Sequence, residues 1–415
     1  MDQYSSDTGN LNVIVTGTDS YSPLSSATIE IANTGEPNRI LESVNTDRNG
    51  QTGNIELSAP PREYSMEPTD NQPYSEYNVK ISAPGYQEGL VSGVQIFSGE
   101  NGLQSIVLQP SEQTPDYVYN PIVIGGHTLW EYYPPKIAEP EIKPLAESGE
   151  IVLSRVVVPE TIVVHDGVPS DSTATDYYVP YIDYIKNVAC CEIYSTWPES
   201  TIEANILAIM SFTLNRVYTE WYRNKGYDFT ITSSTAFDHK WIPERNIYDT
   251  ISVIVDELFA DYLSRPNVKQ PILTQYCDGR QVQCPNWMTQ WGSKSLGDQG
   301  YSPIEILRYY YGDDMYINTA EAISGIPSSW PGYTLKIGSS GNKVRQMQEQ
   351  LNVIAGAYPA IPKITADGIY GPATAEAVRV FQKVFGLPQT GEVDYTTWYK
   401  ISEIYVGVSR IAELN

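Results

Sequence analysis

Four cysteines, three histidines and a surplus of carboxylates are the side chains through which this 415-residue chain could do chemistry or hold a metal. Cys277 and Cys284 flank Asp278-Gly279-Arg280, a turn signal. Their Cys-x6-Cys spacing is not a zinc signature, in which paired cysteines stand closer together. Three readings stay open for the pair: a loop-closing disulfide, zinc with His239 arriving from elsewhere, or free thiols. Cys190 and Cys191 are adjacent and read as small buried hydrophobes. His127, His165 and His239 are too scattered for a metal motif, and His127 and His165 read as structural. No metal or other cofactor is expected. Glu199 and Glu203 follow Trp197-Pro198 and read as solvated acids at a helix start.

The elements that must position these groups follow from pattern and composition. Basic residues number 26 and acidic 50, a net charge of −24. That argues against nucleic acid or an anionic membrane as partner, since both need a basic face. No apolar run is long enough to cross a membrane, so no transmembrane segment is expected. Met1 to Asn10 is polar, and no ordinary secretory signal is expected there. The 32 tyrosines suit stacking on sugars, contacts with proteins and β-sheet cores alike.

The length predicts a multidomain chain. Residues 1–110 read as an all-β sandwich serving as a spacer or adhesive domain. Leu11, Val13 and Val15 alternate with polar residues, as do Tyr77, Val79 and Ile81, and turns such as Asn49-Gly50 and Pro84-Gly85 intervene. Residues 111–150 read as a linker, because Pro115, Pro121, Pro134, Pro135, Pro140 and Pro144 interrupt every pattern.

Residues 151–330 read as α+β. Strands are expected over 151–158, 161–164, 227–232 and 272–276. A helix over 201–222 places Ile202, Ile206, Ile209, Thr213, Val217 and Trp221 on one stripe, with Ser200 and Glu203 as a capping box. A second helix is expected over 249–263. A third starts with Ser302, Pro303 and Glu305 in the positions of an N-cap, N1 and N3. Residues 331–415 hold two helical patterns divided by glycine turns. Val344…Gln348 and Val378…Gln382 form a loose internal repeat.

The last segment resembles a peptidoglycan-binding domain of the three-helix type. The residues concerned are Gly338-Ser339-x-Gly341, Asp367-Gly368-Ile369-Tyr370-Gly371, Gly386-Leu387-Pro388 and Thr397-Trp398. The resemblance implies non-covalent binding to bacterial cell wall. The order Pro23…Thr28-Ile29-Glu30-Ile31…Asn49-Gly50…Gly85-Tyr86 resembles the carboxypeptidase-regulatory or transthyretin-like sandwich, which leaves protein partners open to the N-terminal domain.

The middle block resembles the stage II sporulation protein D (SpoIID) family. The match rests on Tyr181-Ile182-x-x-Ile185, Glu192, Trp197-Pro198, Gln290-Trp291-Gly292-Ser293, Gln299-Gly300, Ile306-Leu307 and Tyr309-Tyr310. That family is similar to lytic transglycosylases acting on glycan strands. The resemblance implies Glu192 as the catalytic acid and base, in an apolar setting of Val188, Ala189, Cys190, Cys191 and Ile193. It implies Gln290, Trp291 and Ser293 in the sugar cleft, with Tyr276 and Asn205 as further substrate-binding candidates. The helix after Trp197-Pro198 departs from the pattern. Glu203, Asn205 and Met210 stand where the family has lysine, glutamine and arginine.

The expected function is therefore peptidoglycan binding with glycan-strand cleavage, at the wall or spore surface of a Gram-positive bacterium. The alternatives are a non-catalytic wall- or spore-associated structural protein and a wall-piercing component of a phage-like apparatus.

Overall fold

The computed structural model describes residues 7–17, 23–111, 121–143, 153, 155–320, 322–323, 331, 333–385 and 387–409. The expected strand residues Ile151 and Val152, two linker prolines (Pro115 and Pro144) and Gly386 lie outside these.

The N-terminal part holds β1 (Asp7–Gly17), β2 (Thr28–Asn33), β3 (Ile40–Asn45), β4 (Ile55–Ala59), a helical turn α1 (Glu63–Met66), β5 (Ser75–Ser82), β6 (Gly89–Ile96) and β7 (Asn101–Leu108). Alternation sends Leu11, Val13 and Val15 inward from β1, and Tyr77, Val79 and Ile81 from β5. These residues meet in one apolar core between two sheets. The first sheet runs β3-β2-β5-β6 and is completed by β8 (Ile122–Val123).

The second sheet takes its edge strand from far along the chain. Its order is β4-β1-β7-β13, where β13 is Ile247–Tyr248. Cys191 and Ile242 also enter the N-terminal core. The N-terminal and central parts therefore share a sheet and a core.

The central part holds β9 (Val157–Val158), β10 (Thr161–His165), β11 (Asp176–Pro180), α2 (Tyr181–Glu192), α3 (Glu199–Tyr218), β12 (Ile231–Thr232), β13, α4 (Asp249–Leu258), β14 (Asp261–Ser264), β15 (Tyr276–Cys277), β16 (Met288–Thr289), α5 (Gln290–Asp298), α6 (Pro303–Tyr311), β17 (Tyr316–Thr319) and β18 (Ala322–Ile323). Helix α3 is its axis. It is buried on every side, with α2, α4, α5 and α6 around it, and does not present the single stripe that its sequence predicts. It ends at Tyr218, so Trp221 lies beyond it. It starts at Glu199 behind Pro198, and no side chain caps it, so the expected Ser200–Glu203 box does not form.

Helix α4 stops at Leu258, short of the expected 263, because Asp261–Ser264 pairs antiparallel with β17. Only Ile231–Thr232 of the strand expected over 227–232 joins a sheet, parallel to β10. The strand expected over 272–276 is reduced to Tyr276–Cys277, pairing with β16. Helix α6 begins as expected: the Ser302 amide and hydroxyl both donate to Glu305 Oε2, at 2.8 and 2.6 Å.

The proline-rich segment has almost no regular structure, as its missing amide donors dictate. It is nonetheless bound along the central part rather than spanning a gap. Its backbone is satisfied by distant side chains. Glu139 N–H donates to Gln275 Oε1 at 2.8 Å, Gln275 Nε2 donates to Ile137 O at 2.7 Å, and Lys143 N–H donates to Gln270 Oε1 at 2.7 Å. The fully buried Arg216 bridges Glu139 at 2.6 Å and Asp238 at 2.7 Å, tying the segment to α3.

The C-terminal part is α7 (Asn342–Ala357), α8 (Pro372–Val384) and α9 (Tyr395–Ser409) around Val344, Leu351, Val378, Phe381 and Trp398. The repeat seen in sequence has a physical cause. Gln348 Oε1 accepts Gly368 N–H and Gln382 Oε1 accepts Gly391 N–H, both at 2.8 Å. Their amide nitrogens donate to the carbonyls of Ile369 and Glu392. Each glutamine holds the turn before the next helix, and Gly368 and Gly391 supply its left-handed backbone (φ +76° and +69°).

Candidate functional site

Glu192 is the last residue of α2, and its side chain is 3% exposed. The Lys240 N–H donates to its Oε1 at 2.8 Å. Gln290 Nε2 donates to its backbone carbonyl at 2.8 Å and to Oε2 at 3.3 Å. The Thr128 hydroxyl stands 3.4 Å from Oε2. Gln290 opens α5, so one amide closes the carbonyl end of α2 and holds the carboxylate.

Glu192, Gln290 and Thr128 line a cleft of about 40 Å³. Glu192, Gln290 and Tyr276 share its wall with Thr128, Tyr133 and Lys136 from the proline-rich segment, and with Cys277 at the end of β15 and Asp278, Gln281 and Val282 after it. The Lys136 ammonium lies 4.6 Å from the centre of the Tyr276 ring and donates to the Asp238 carbonyl. Burial lowers the Lys136 pKa, opposed by the charges of Glu192 and Asp238. Tyr276 stacks on His239 at 5.9 Å, and its hydroxyl has no partner among the described residues. Burial, and then the Glu192 charge, raises the Tyr276 pKa well above the usual phenol value. Burial, then the charges of Lys136 and Arg216, pushes the His239 pKa well below the usual imidazole value.

The other expected residues lie behind the cleft. Asn205 Nδ2 donates to Ser293 Oγ at 2.8 Å, and Ser293 Oγ donates to the Gln290 carbonyl at 2.7 Å. Asn205 and Ser293 therefore brace Gln290 without lining the cleft. Trp291 packs 5.1 Å from Trp197 and 6.0 Å from Tyr194, outside the cleft wall. Glu199 is exposed and Glu203 half-buried at the start of α3. Cys277 and Cys284 form a disulfide that closes the cleft loop, whereas Cys190 and Cys191 are free, buried thiols.

Sequence reasoning missed Thr128, Lys136 and the Lys240 amide. A signal for the first two was present, because Ile122-Val123-Ile124-Gly125-Gly126 reads as a strand and turn, which a free linker has no need of. The Lys240 contribution is a backbone group and leaves no trace in residue type.

The arrangement offers a buried carboxyl group in a cleft of mixed polarity with a lysine nearby. Asp278 lines the same cleft, but its carboxylate accepts the amides of Arg280 (3.0 Å) and Val282 (2.8 Å) and is committed to its turn. Glu131 is exposed at the rim.

The family model of a peptidoglycan binding domain matches residues 340–401, the segment of α7, α8 and the start of α9. The zinc D-Ala-D-Ala carboxypeptidase of Streptomyces albus G is 42% identical over 77 residues, 18% of this chain and 28% of that protein. The chain thus spans little more than a quarter of that relative's length. Among solved structures, the SleB N-terminal domain is 29% identical, over 18% of this chain and 93% of that one, with a TM-score of 0.16. The minor pilin GBS52 of Streptococcus agalactiae is 18% identical, over 25% of this chain and 45% of that one, with a TM-score of 0.18. The C-terminal part of the chain thus carries a peptidoglycan-binding domain.

Proposed function

We propose that this protein, held on peptidoglycan by its C-terminal domain, cuts glycan strands at the Glu192 cleft as a SpoIID-like lytic transglycosylase. The observation that carries the reading is the convergence of Glu192, Gln290 and Tyr276, from three stretches of sequence, on one cleft.

The Glu192 carboxyl donates its proton to the glycosidic oxygen as the bond from that oxygen to the anomeric carbon breaks. The resulting carboxylate takes the proton of the muramic acid 6-hydroxyl, whose oxygen closes on the same carbon. A 1,6-anhydro end forms and no water is consumed. Hydrolysis needs a second carboxylate at a set separation, and a lone acid does not. Gln290, braced by Ser293 and Asn205, and the Lys240 amide fix the orientation of Glu192. Lys136 supplies a cation near the reacting centre, a role the helix after Trp197-Pro198 does not fill in this sequence. Wall tethering raises the local concentration of glycan at the cleft. The acting location is the cell wall or spore surface, and the N-terminal sheets are available for protein partners.

The size of the cleft favours a second reading, a wall-bound structural protein. About 40 Å³ accommodates roughly one water, whereas small-molecule sites span roughly 300–1,000 Å³. Incubation with peptide-free and peptide-bearing glycan strands separates the two. Pelleting with the strands and release of soluble fragments from the peptide-free material supports cleavage. Pelleting with no release supports the structural role.

A further inference from the structure

A second cavity opens beside the disulfide loop that walls the Glu192 cleft. Its volume is about 250 Å³, several times that of the cleft and close to the lower end of small-molecule sites, roughly 300 Å³. Pro285, Asn286 and Trp287, directly after Cys284, form one side. Tyr310 of α6 forms another, and Glu139 and Glu141 of the proline-rich segment a third. The Tyr310 hydroxyl meets the Thr289 hydroxyl at 3.2 Å, so this wall adjoins Gln290 of the cleft.

The charged groups of the wall are matched. Arg216 and Lys143 hold Glu139. Arg265 donates from Nε and Nη2 to the two oxygens of Glu141, at 2.7 and 2.8 Å, and pairs through Nη1 with Asp314. The wall therefore offers no open cation to an anionic ligand. What it leaves open are hydrogen-bonding groups within reach of water. Trp287 is half-buried, and its Nε1 donates to no described residue. Asn286 is exposed, and its side-chain amide has no partner among the described residues. The Glu141 side chain is 37% exposed, and each of its oxygens accepts one bond from Arg265 and keeps a further lone pair.

We propose that this cavity binds one neutral pyranose ring of wall glycan, seated against the Trp287 indole, with its hydroxyls meeting Trp287 Nε1, the Asn286 amide and the Glu141 carboxylate. A sugar ring has an apolar face for an indole and hydroxyls that both give and take hydrogen bonds, which is the mixture this wall presents. The proposal rests on wall glycan as the ligand proposed above, and not on cleavage at Glu192.

Nuclear magnetic resonance of the indole N–H groups of the full chain tests it, with Trp287→Phe assigning the Trp287 signal among the eight tryptophans. The N-acetylglucosamine trimer and maltotriose are the neutral probes, and the galacturonic acid trimer is the anionic one. The Trp287 signal should move saturably with at least one neutral trimer, and which one identifies the sugar. The anionic trimer should need about tenfold more ligand or higher for the same response. Asn286→Gly removes the amide at a left-handed position (φ +53°) that glycine takes without strain, so the fold is kept. It should weaken the response at Trp287 about fivefold, with an unchanged unfolding temperature. A Trp287 signal unmoved by both neutral trimers, an equal response to the anionic trimer, or an undiminished response in Asn286→Gly would overturn the proposal. Saturable movement at Trp287 without strand cleavage leaves this site standing and counts against the Glu192 reading alone. Strand cleavage with an unmoved Trp287 signal does the reverse.

Discussion

The C-terminal helices and the Glu192 cleft are held together in opposite ways. In the C-terminal part, Gln348 and Gln382 bind turns 20 and 9 residues further along the chain. Each structural unit is closed by contacts that are local in sequence. At the cleft, Thr128, Glu192, Lys240 and Gln290 meet from separations of 48 to 98 residues from the glutamate. A local unit repeats its logic and can be recognised as a motif. A site assembled from remote pieces depends on each supporting shell, including segments without pattern of their own.

This contrast can be broken at its strongest point first. Arg216→Met leaves the buried Asp238 without its cation and Glu139 with Lys143 alone, and should cost about 4 kcal/mol. Hydrogen exchange should then rise over 121–143 and around Glu192 together, with the C-terminal helices unaffected. Independent loosening of 121–143 alone would restore it to the status of a connector. Gln382→Leu strands the Gly391 amide, takes one of two donors from the Glu392 carbonyl, and should cost about 3 kcal/mol. Exchange should rise over α8 and α9 only, and pelleting with peptidoglycan should weaken.

Reduction of Cys277–Cys284, or the Cys284→Ser change, opens a loop of sequence separation 7 and should cost about 2 kcal/mol. Denaturant titration with and without reductant would read the loss, and a cleft-forming loop should lower glycan cleavage along with it. The smallest effect is expected at Ser302→Ala. It removes a hydroxyl from the start of α6 and should cost about 1 kcal/mol of unfolding free energy in a denaturant titration, leaving cleavage unchanged.

Legibility in the sequence follows the same division. The glycine turns, the two buried glutamines and the apolar spacing of α7 and α8 are local signals, and residues 340–401 could be recognised from them. The β-alternation of residues 11–15 and 77–81 marked inward faces correctly, because a two-residue period is also local. The edge strand Ile247–Tyr248 could not be read, since its pairing with β7 joins residues about 145 apart and leaves no pattern in two residues. The helix expected to reach residue 263 stopped at 258 for a similar reason, its last turns being claimed by β17. Asn205 and Ser293 stood out in sequence as polar residues, but their part in bracing Gln290 depends on a contact across 88 residues. Lys136 was hidden because proline density reads as exposure, whereas here distant glutamines satisfy the backbone.

The central claim is that Glu192 is the acid and base of a glycan-cleaving site. Mass spectrometry of peptide-free glycan strands after incubation, with Glu192→Gln beside the wild type, tests it most directly. The account predicts 1,6-anhydro-muramic ends with the wild type and a loss of about a hundredfold or more in the variant, with binding to the strands retained. Equal yields of anhydro ends from both proteins, or strands bound and left uncut by the wild type, would contradict it.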